Sequence, residues 1–162
     1  MSLDSIKLAN LILYIASHSR VKNLGITKLW KLIYFVDAMA IRDLGESITG
    51  SEFIKYEHGP VPSRGEKVLK QLRKSNQVTI ENKILHGHSL TNVTTSTKAD
   101  VDIFLEDEIK IMSMICSRYG TQTAQELSTL SHLEPSWKFA KYLQKLDSRL
   151  IFYGPREDSV GL

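Results

Sequence analysis

The sequence predicts an α+β fold, predominantly helical, with about six helices and a small antiparallel β-hairpin. Three observations predict it. Several long segments repeat apolar residues at helical spacing, with caps and stops at their ends. One stretch, Gln77–Thr95, alternates weakly instead, is rich in threonine and valine, and turns at His86-Gly87-His88. The composition is globular: of 162 residues, 42% are hydrophobic and 24% charged, which excludes disordered and collagen-like classes.

Asp4 is the expected N-cap of a first helix, to about Ser19, whose apolar residues cover most of its circumference. Thr27 is the expected cap of a second helix, Lys28–Leu44, stopped by Gly45 and apolar nearly all round. Such a helix is central, or has one face covered by another chain, which leaves room for a homodimer. An irregular stretch follows, Ser47–Pro62, with one extended piece at Glu52–Glu57. Its His58-Gly59-Pro60-Val61-Pro62 run holds two prolines, which cannot continue a helix or a central strand. Ser63 should cap a third helix, to Lys74, and the hairpin comes next. Leu105–Tyr119 is helical, with Glu106, Asp107 and Glu108 in its first turn where the helix dipole favours acids. Thr121 or Thr123 starts a helix through Leu130, and Pro135 starts another that carries Trp137, Phe139, Tyr142, Leu143 and Leu146. With no repeat or linker, the reading is one domain over residues 1–162, with 155–162 as a loose tail.

One cysteine, Cys116, allows no internal disulfide and fits a reducing compartment. Leu8–Ala16 is apolar apart from Asn10, but Asp4 stands where a secretory signal wants basic residues, so a buried helix and a cytoplasmic protein are expected. No run reaches the roughly 18 apolar residues of a membrane span. The net charge of +3 is too small to argue for a nucleic-acid or membrane partner.

The chemistry-bearing motifs are mostly missing. There is no G-x-S-x-G, C-x-x-C, H-E-x-x-H or G-x-x-x-x-G-K-[ST], and no enzyme, metal or cofactor is expected. His86 and His88 form an H-x-H pair, read as a solvated turn, and Cys116 reads as a small core residue. Asp37 lies on the helix that has almost no polar face, so its carboxylate needs hydrogen bonds. It is either a polar anchor in a binding groove or a tie to a loop backbone. A weaker enzyme reading would combine Asp37, His58 and His132. The third helix carries Arg64, Lys67, Lys70, Arg73 and Lys74 on one arc. This is a solvated face, or, with the hairpin 77–95 as a wing, the basic helix 63–74 of a winged-helix DNA-binding regulator.

Three segments carry a family resemblance. Lys28-Leu29-Trp30-Lys31-Leu32-Ile33-Tyr34-Phe35-Val36-Asp37 resembles the K-L-x-K-L-x-Y-F-x-D helix of the Panacea domain. Ile48-Thr49-Gly50, followed by Glu57-His58-Gly59-Pro60-Val61-Pro62, resembles its I-T-G … x-H-G-P-V-P signature, and Ser128–Trp137 is similar to its L-S-x-x-S-H-x-E-x-x-W segment. They occur in the family's order and span about Lys28 to Lys138. The family, also called SocA-like or GepA-like, implies an antitoxin of bacteria, phages and mobile elements. Its partner would be a cognate protein toxin, neutralised by direct binding, and in some members presented to an ATP-dependent protease. The resemblance places partner contacts at Tyr34, Asp37, Tyr56, His58, Gly59, Pro60, Pro62, His132 and Trp137. Pro60 and Pro62 would stiffen a docking loop, and the His58 loop is expected to meet His132 and Trp137 in space.

Overall fold

The computed structural model describes residues 1–154; the expected loose tail, 155–162, lies outside the described residues. Seven α-helices and two antiparallel strand pairs make up the described part: α1 (Leu3–Ser17), α2 (Ile26–Leu44), β1 (Phe53–Tyr56), β2 (Gly59–Pro62), α3 (Gly65–Lys74), β3 (Thr79–Leu85), β4 (His88–Thr94), α4 (Glu106–Tyr119), α5 (Ala124–His132), α6 (Pro135–Lys138) and α7 (Ser148–Phe152). A 3₁₀ turn, Val101–Ile103, precedes α4.

The axis of this arrangement is α2. Leu29, Leu32, Ile33, Tyr34, Val36 and Ala40 are inaccessible to solvent, and α1, α4, α5, α7 and β2 pack around them. Burying each large apolar side chain there stabilises the fold by roughly 1.5–3 kcal/mol. Because the chain itself covers the helix, its apolar circumference no longer calls for a second copy. Gly45 ends it in the left-handed conformation at φ 90°, and its N–H returns to the Ile41 carbonyl.

Helix starts differ from expectation. Ser2, not Asp4, caps α1, its hydroxyl accepting from the Ser5 N–H. The N-cap of α2 is Gly25, two residues before Thr27 and without a side-chain cap bond, and α3 follows Arg64 rather than Ser63. Thr123 does cap α5, accepting from the Glu126 N–H.

The largest departures surround β1. The segment Gly59–Pro62, expected to be irregular, pairs with β1 in a two-stranded ladder, Tyr56 opposite Gly59 and Ile54 opposite Val61. Pro60 and Pro62 sit opposite Lys55 and Phe53, the positions of such an edge strand that need no ladder donor. The other edge of β1 takes residues 143–146: Leu143 N–H donates to the Lys55 carbonyl at 2.8 Å, Lys55 N–H to Gln144 at 2.9 Å, and Leu146 N–H to Phe53 at 2.8 Å. This pairing stops the helix expected from Pro135 to Leu146 at Lys138. Leu143 is driven to φ 66° to make the corner, a conformation that is rare for non-glycine residues. The apolar tail around Ile151 forms the short helix α7, capped by Asp147.

The β3–β4 hairpin turns through His86 and Gly87, both at positive φ (50° and 79°), as a two-residue turn between right-handed strands requires. Val93 N–H donates to the Leu24 carbonyl at 2.7 Å, which holds β4 to the body while β3 stays outermost.

Candidate functional site

The three signature segments, distant in sequence, meet around the first half of α2 and the β1–β2 hairpin. Gly59 is in the left-handed region (φ 125°) and lies so close to its neighbours that a Cβ there would stand 2.5 Å from Lys31 Cε and from Ser131 Oγ. The Trp137 indole N–H donates to the Tyr56 carbonyl at 3.3 Å. His132 stacks on Trp137 with ring centroids 3.9 Å apart and planes 13° from parallel. Lys55 places its ammonium 4.0 Å from the Trp137 ring and bonds the Ala140 carbonyl at 3.0 Å. His58, Gly59, His132 and Trp137 therefore form one neighbourhood.

Two open depressions flank this neighbourhood and share His58 and Thr27. One, of about 690 Å³, lies between the start of α2, strand β4 and α5, with Lys28, Leu90, Ser128 and His132 in its wall. The other, of about 420 Å³, is walled by Trp30, Lys31, Tyr56, Glu57, Pro62 and Tyr142. Burial holds the His132 imidazole below its ordinary pKa. A hydrogen bond with the Glu57 backbone works the other way, and the nearby Lys31, His58 and Lys55 add to the lowering.

The remaining signature residues form a buried polar skeleton. Asp37 is wholly buried; its carboxylate accepts from the Ile48 N–H at 2.9 Å, the Thr49 N–H at 3.0 Å and the Thr49 hydroxyl. Burial raises its pKa to about 6 in spite of those bonds. The side chain thus ties α2 to the loop 47–51 and does not reach His58 or His132 to make a catalytic set. Tyr34 is equally inaccessible, and its hydroxyl pairs with Ser136 Oγ at 2.7 Å. Tyr34 and Asp37 can affect a partner only by positioning other groups, whereas Tyr56 and His58 are exposed. Pro60 and Pro62 are buried, and His132 and Trp137 are half-buried.

The sequence reading missed several members of this skeleton. Arg42 and Glu134 form a buried ion pair at 2.6 Å, and Arg42 Nε also donates to the Ile151 carbonyl at 2.8 Å. Lys28 and Lys31 are 2% and 1% exposed. Lys28 donates to the Lys22 and Gly120 carbonyls, each at 2.5 Å. Lys31 makes one long contact, 3.5 Å to the Pro60 carbonyl. Their signal was present: cations on a helix with no polar face raise the same question that Asp37 did.

The basic helix divides. Arg64 is engaged, its guanidinium bonding Ser5 Oγ at 3.0 Å and the Thr49 carbonyl at 3.3 Å, while Lys67, Lys70, Arg73 and Lys74 are exposed. His86 and His88 stand exposed at the hairpin turn, and no group of three or more His, Cys, Asp or Glu that could hold a metal occurs among the described residues. Cys116 is buried in α4, and burial pushes its thiol pKa up to about 12. No described helix is long and apolar enough to cross a membrane.

Comparison with known families gives a match over most of the chain. The model described as "Antitoxin SocA-like, Panacea domain" covers residues 29–138, more than half of the chain. Comparison with curated proteins and with solved structures gives no match.

Proposed function

Because the chain belongs to the antitoxin SocA-like, Panacea domain family, we propose that it is the antitoxin of a toxin–antitoxin pair and neutralises a cognate protein toxin by direct binding. The observation that supports this reading is the convergence of the signature segments beside unpartnered apolar side chains. Tyr56, Phe139, Tyr142 and Leu143 are between 43% and 76% exposed around the β1–β2 hairpin and the loop that follows α6, and Leu133 at the end of α5 is 60% exposed. Clustered exposed aromatics of this kind mark protein-binding surfaces. The hairpin that presents Tyr56 is stiffened by two prolines and paired on both edges of β1, so little backbone entropy is lost on docking.

The test is co-expression with each adjacent small open reading frame, read by growth and by tagged pull-down. A neighbour that is toxic alone, silent with this chain and co-purified with it is the expected result. A toxic neighbour that is neither silenced nor bound, or no toxic neighbour at all, would overturn the reading. Toxin abundance separates two modes of neutralisation. Simple occlusion leaves the toxin level unchanged, and delivery to an ATP-dependent protease lowers it.

A further inference from the structure

Lys31 is the least satisfied buried charge on α2. Its side chain runs beneath Gly59, and the residue is part of the wall of the 420 Å³ depression. The residue is 1% exposed, yet its three ammonium donors meet a single acceptor, the Pro60 carbonyl at 3.5 Å. An ammonium out of water needs a carboxylate or a full set of acceptors, and the cost of lacking them is several kcal/mol in order of magnitude. Elsewhere on the same helix the buried cations are better served: Lys28 has two carbonyls at 2.5 Å, although burial lowers its pKa to about 8 as well, and Arg42 has Glu134. Glu57 and Glu66 line the same depression but form no ion pair with Lys31. Both are exposed. Nor does any nearby charge offset the burial that lowers the Lys31 pKa to about 8.

We propose that this depression is a socket for an acidic side chain of a protein partner, whose carboxylate completes the coordination of Lys31. This rests on the antitoxin reading for the identity of the partner, but not for the chemistry of the socket. The walls suit such an occupant. Trp30, Tyr56 and Tyr142 supply apolar sides for the methylenes of a glutamate. Tyr56 and Tyr142 are 43% and 60% exposed, so they also shield the pair once a partner covers them. Charge pairs closed off from water in this way carry much of the discrimination at an interface.

The variant that tests this is Lys31→Met, which keeps the length of the side chain and removes the charge. It should fold with unchanged or higher thermal stability, because a neutral side chain suits the buried site. Two readouts follow. In the first, backbone amide shifts around Tyr56–Ser63 are followed by NMR while N-acetyl-glutamate-methylamide is added, with the glutamine analogue and inorganic phosphate as controls. The expected result is a saturable response to the glutamate probe alone, lost in Lys31→Met. An equal response to the glutamine probe, a stronger response to phosphate, or a response that survives in Lys31→Met overturns the socket. This readout needs no toxin, so it stands apart from the antitoxin reading. In the second, the toxin found by co-expression should bind Lys31→Met roughly thirtyfold or more weakly than wild type. If wild type neutralises the toxin and Lys31→Met does so equally well, the antitoxin reading holds and the socket falls. If Lys31→Met does not fold, Lys31→Gln serves in both readouts.

Discussion

The two halves of α2 bury their charges differently. In the second half, Asp37 accepts two backbone N–H groups and a hydroxyl, and Arg42 pairs with Glu134 and the Ile151 carbonyl. Each charge there fastens a distant loop or helix to the axis. In the first half, Lys28 is matched by two carbonyls, but Lys31 has one long contact beside an open depression. A matched buried charge is a fold device, since removing one partner strands the other. An unmatched one lowers stability for as long as the protein is alone, and that cost is recovered only when a ligand arrives.

The difference can be broken by mutation. The largest effect is expected for Arg42→Met, which leaves the Glu134 carboxylate buried without its partner. Chemical denaturation should show a loss of about 3–5 kcal/mol, and adding Glu134→Gln should restore part of it. Trp137→Ala comes next. The ring is half-buried and holds its place by stacking on His132 and by the cation of Lys55, so a loss of about 2 kcal/mol is expected, below that of a core tryptophan. A loss near zero would detach the ring from the fold and leave it to the partner.

The pH dependence sharpens the same contrast. The Asp37 pKa is raised on folding to about 6, so the native state holds a proton that the unfolded chain releases near pH 4. Its contribution is present at low pH and is lost as pH rises through about 6. The difference between wild type and Asp37→Asn should change by about 2–3 kcal/mol across that window. Lys31 has the opposite placing. Its pKa is lowered to about 8, so stability rises between about pH 8 and the ordinary lysine value. Lys31→Met should reduce that rise to the part contributed by Lys28, whose pKa burial also lowers to about 8, while at neutral pH its stability matches or exceeds wild type. The smallest effect is expected on α3, where reversing the exposed Lys67, Lys70 and Lys74 should move stability by no more than about 0.5 kcal/mol for each substitution. A mobility shift on the chain's own promoter at near-physiological salt, retained by wild type and lost in that variant, would revive the winged-helix alternative.

Much of the frame was legible in the chain. The helical order, the hairpin at His86-Gly87 and the central place of α2 follow from periodicity, from a glycine at a positive-φ position and from near-continuous apolarity. The family resemblance rests on three local strings that the family match, residues 29–138, includes almost entirely. The reading failed where two structures competed for one segment. Phe139, Tyr142, Leu143 and Leu146 have helical spacing, but the open edge of β1 captures residues 143–146 with three backbone hydrogen bonds. No local pattern reports that edge, because β1 and its partner lie some ninety residues apart. The prolines of Gly59–Pro62 misled for a related reason: they forbid a central strand, and β2 is an edge.

By itself, then, the sequence determined most of the helices, though neither the early end of α6 nor α7, as well as the helix that is apolar nearly all round, and the family. Those properties depend on neighbours within a few residues, through propensity, capping and the alternation of apolar side chains. Only the tertiary structure decided what the buried charges of α2 do. Asp37, Arg42, Lys28 and Lys31 look alike in the sequence, as polar residues on an apolar helix. Their roles are set by whether an acceptor or donor from a distant segment reaches them within hydrogen-bond distance. For three of them one does at 3.0 Å or less. For Lys31 the chain supplies only the Pro60 carbonyl at 3.5 Å, beside the depression that Lys31 helps to wall.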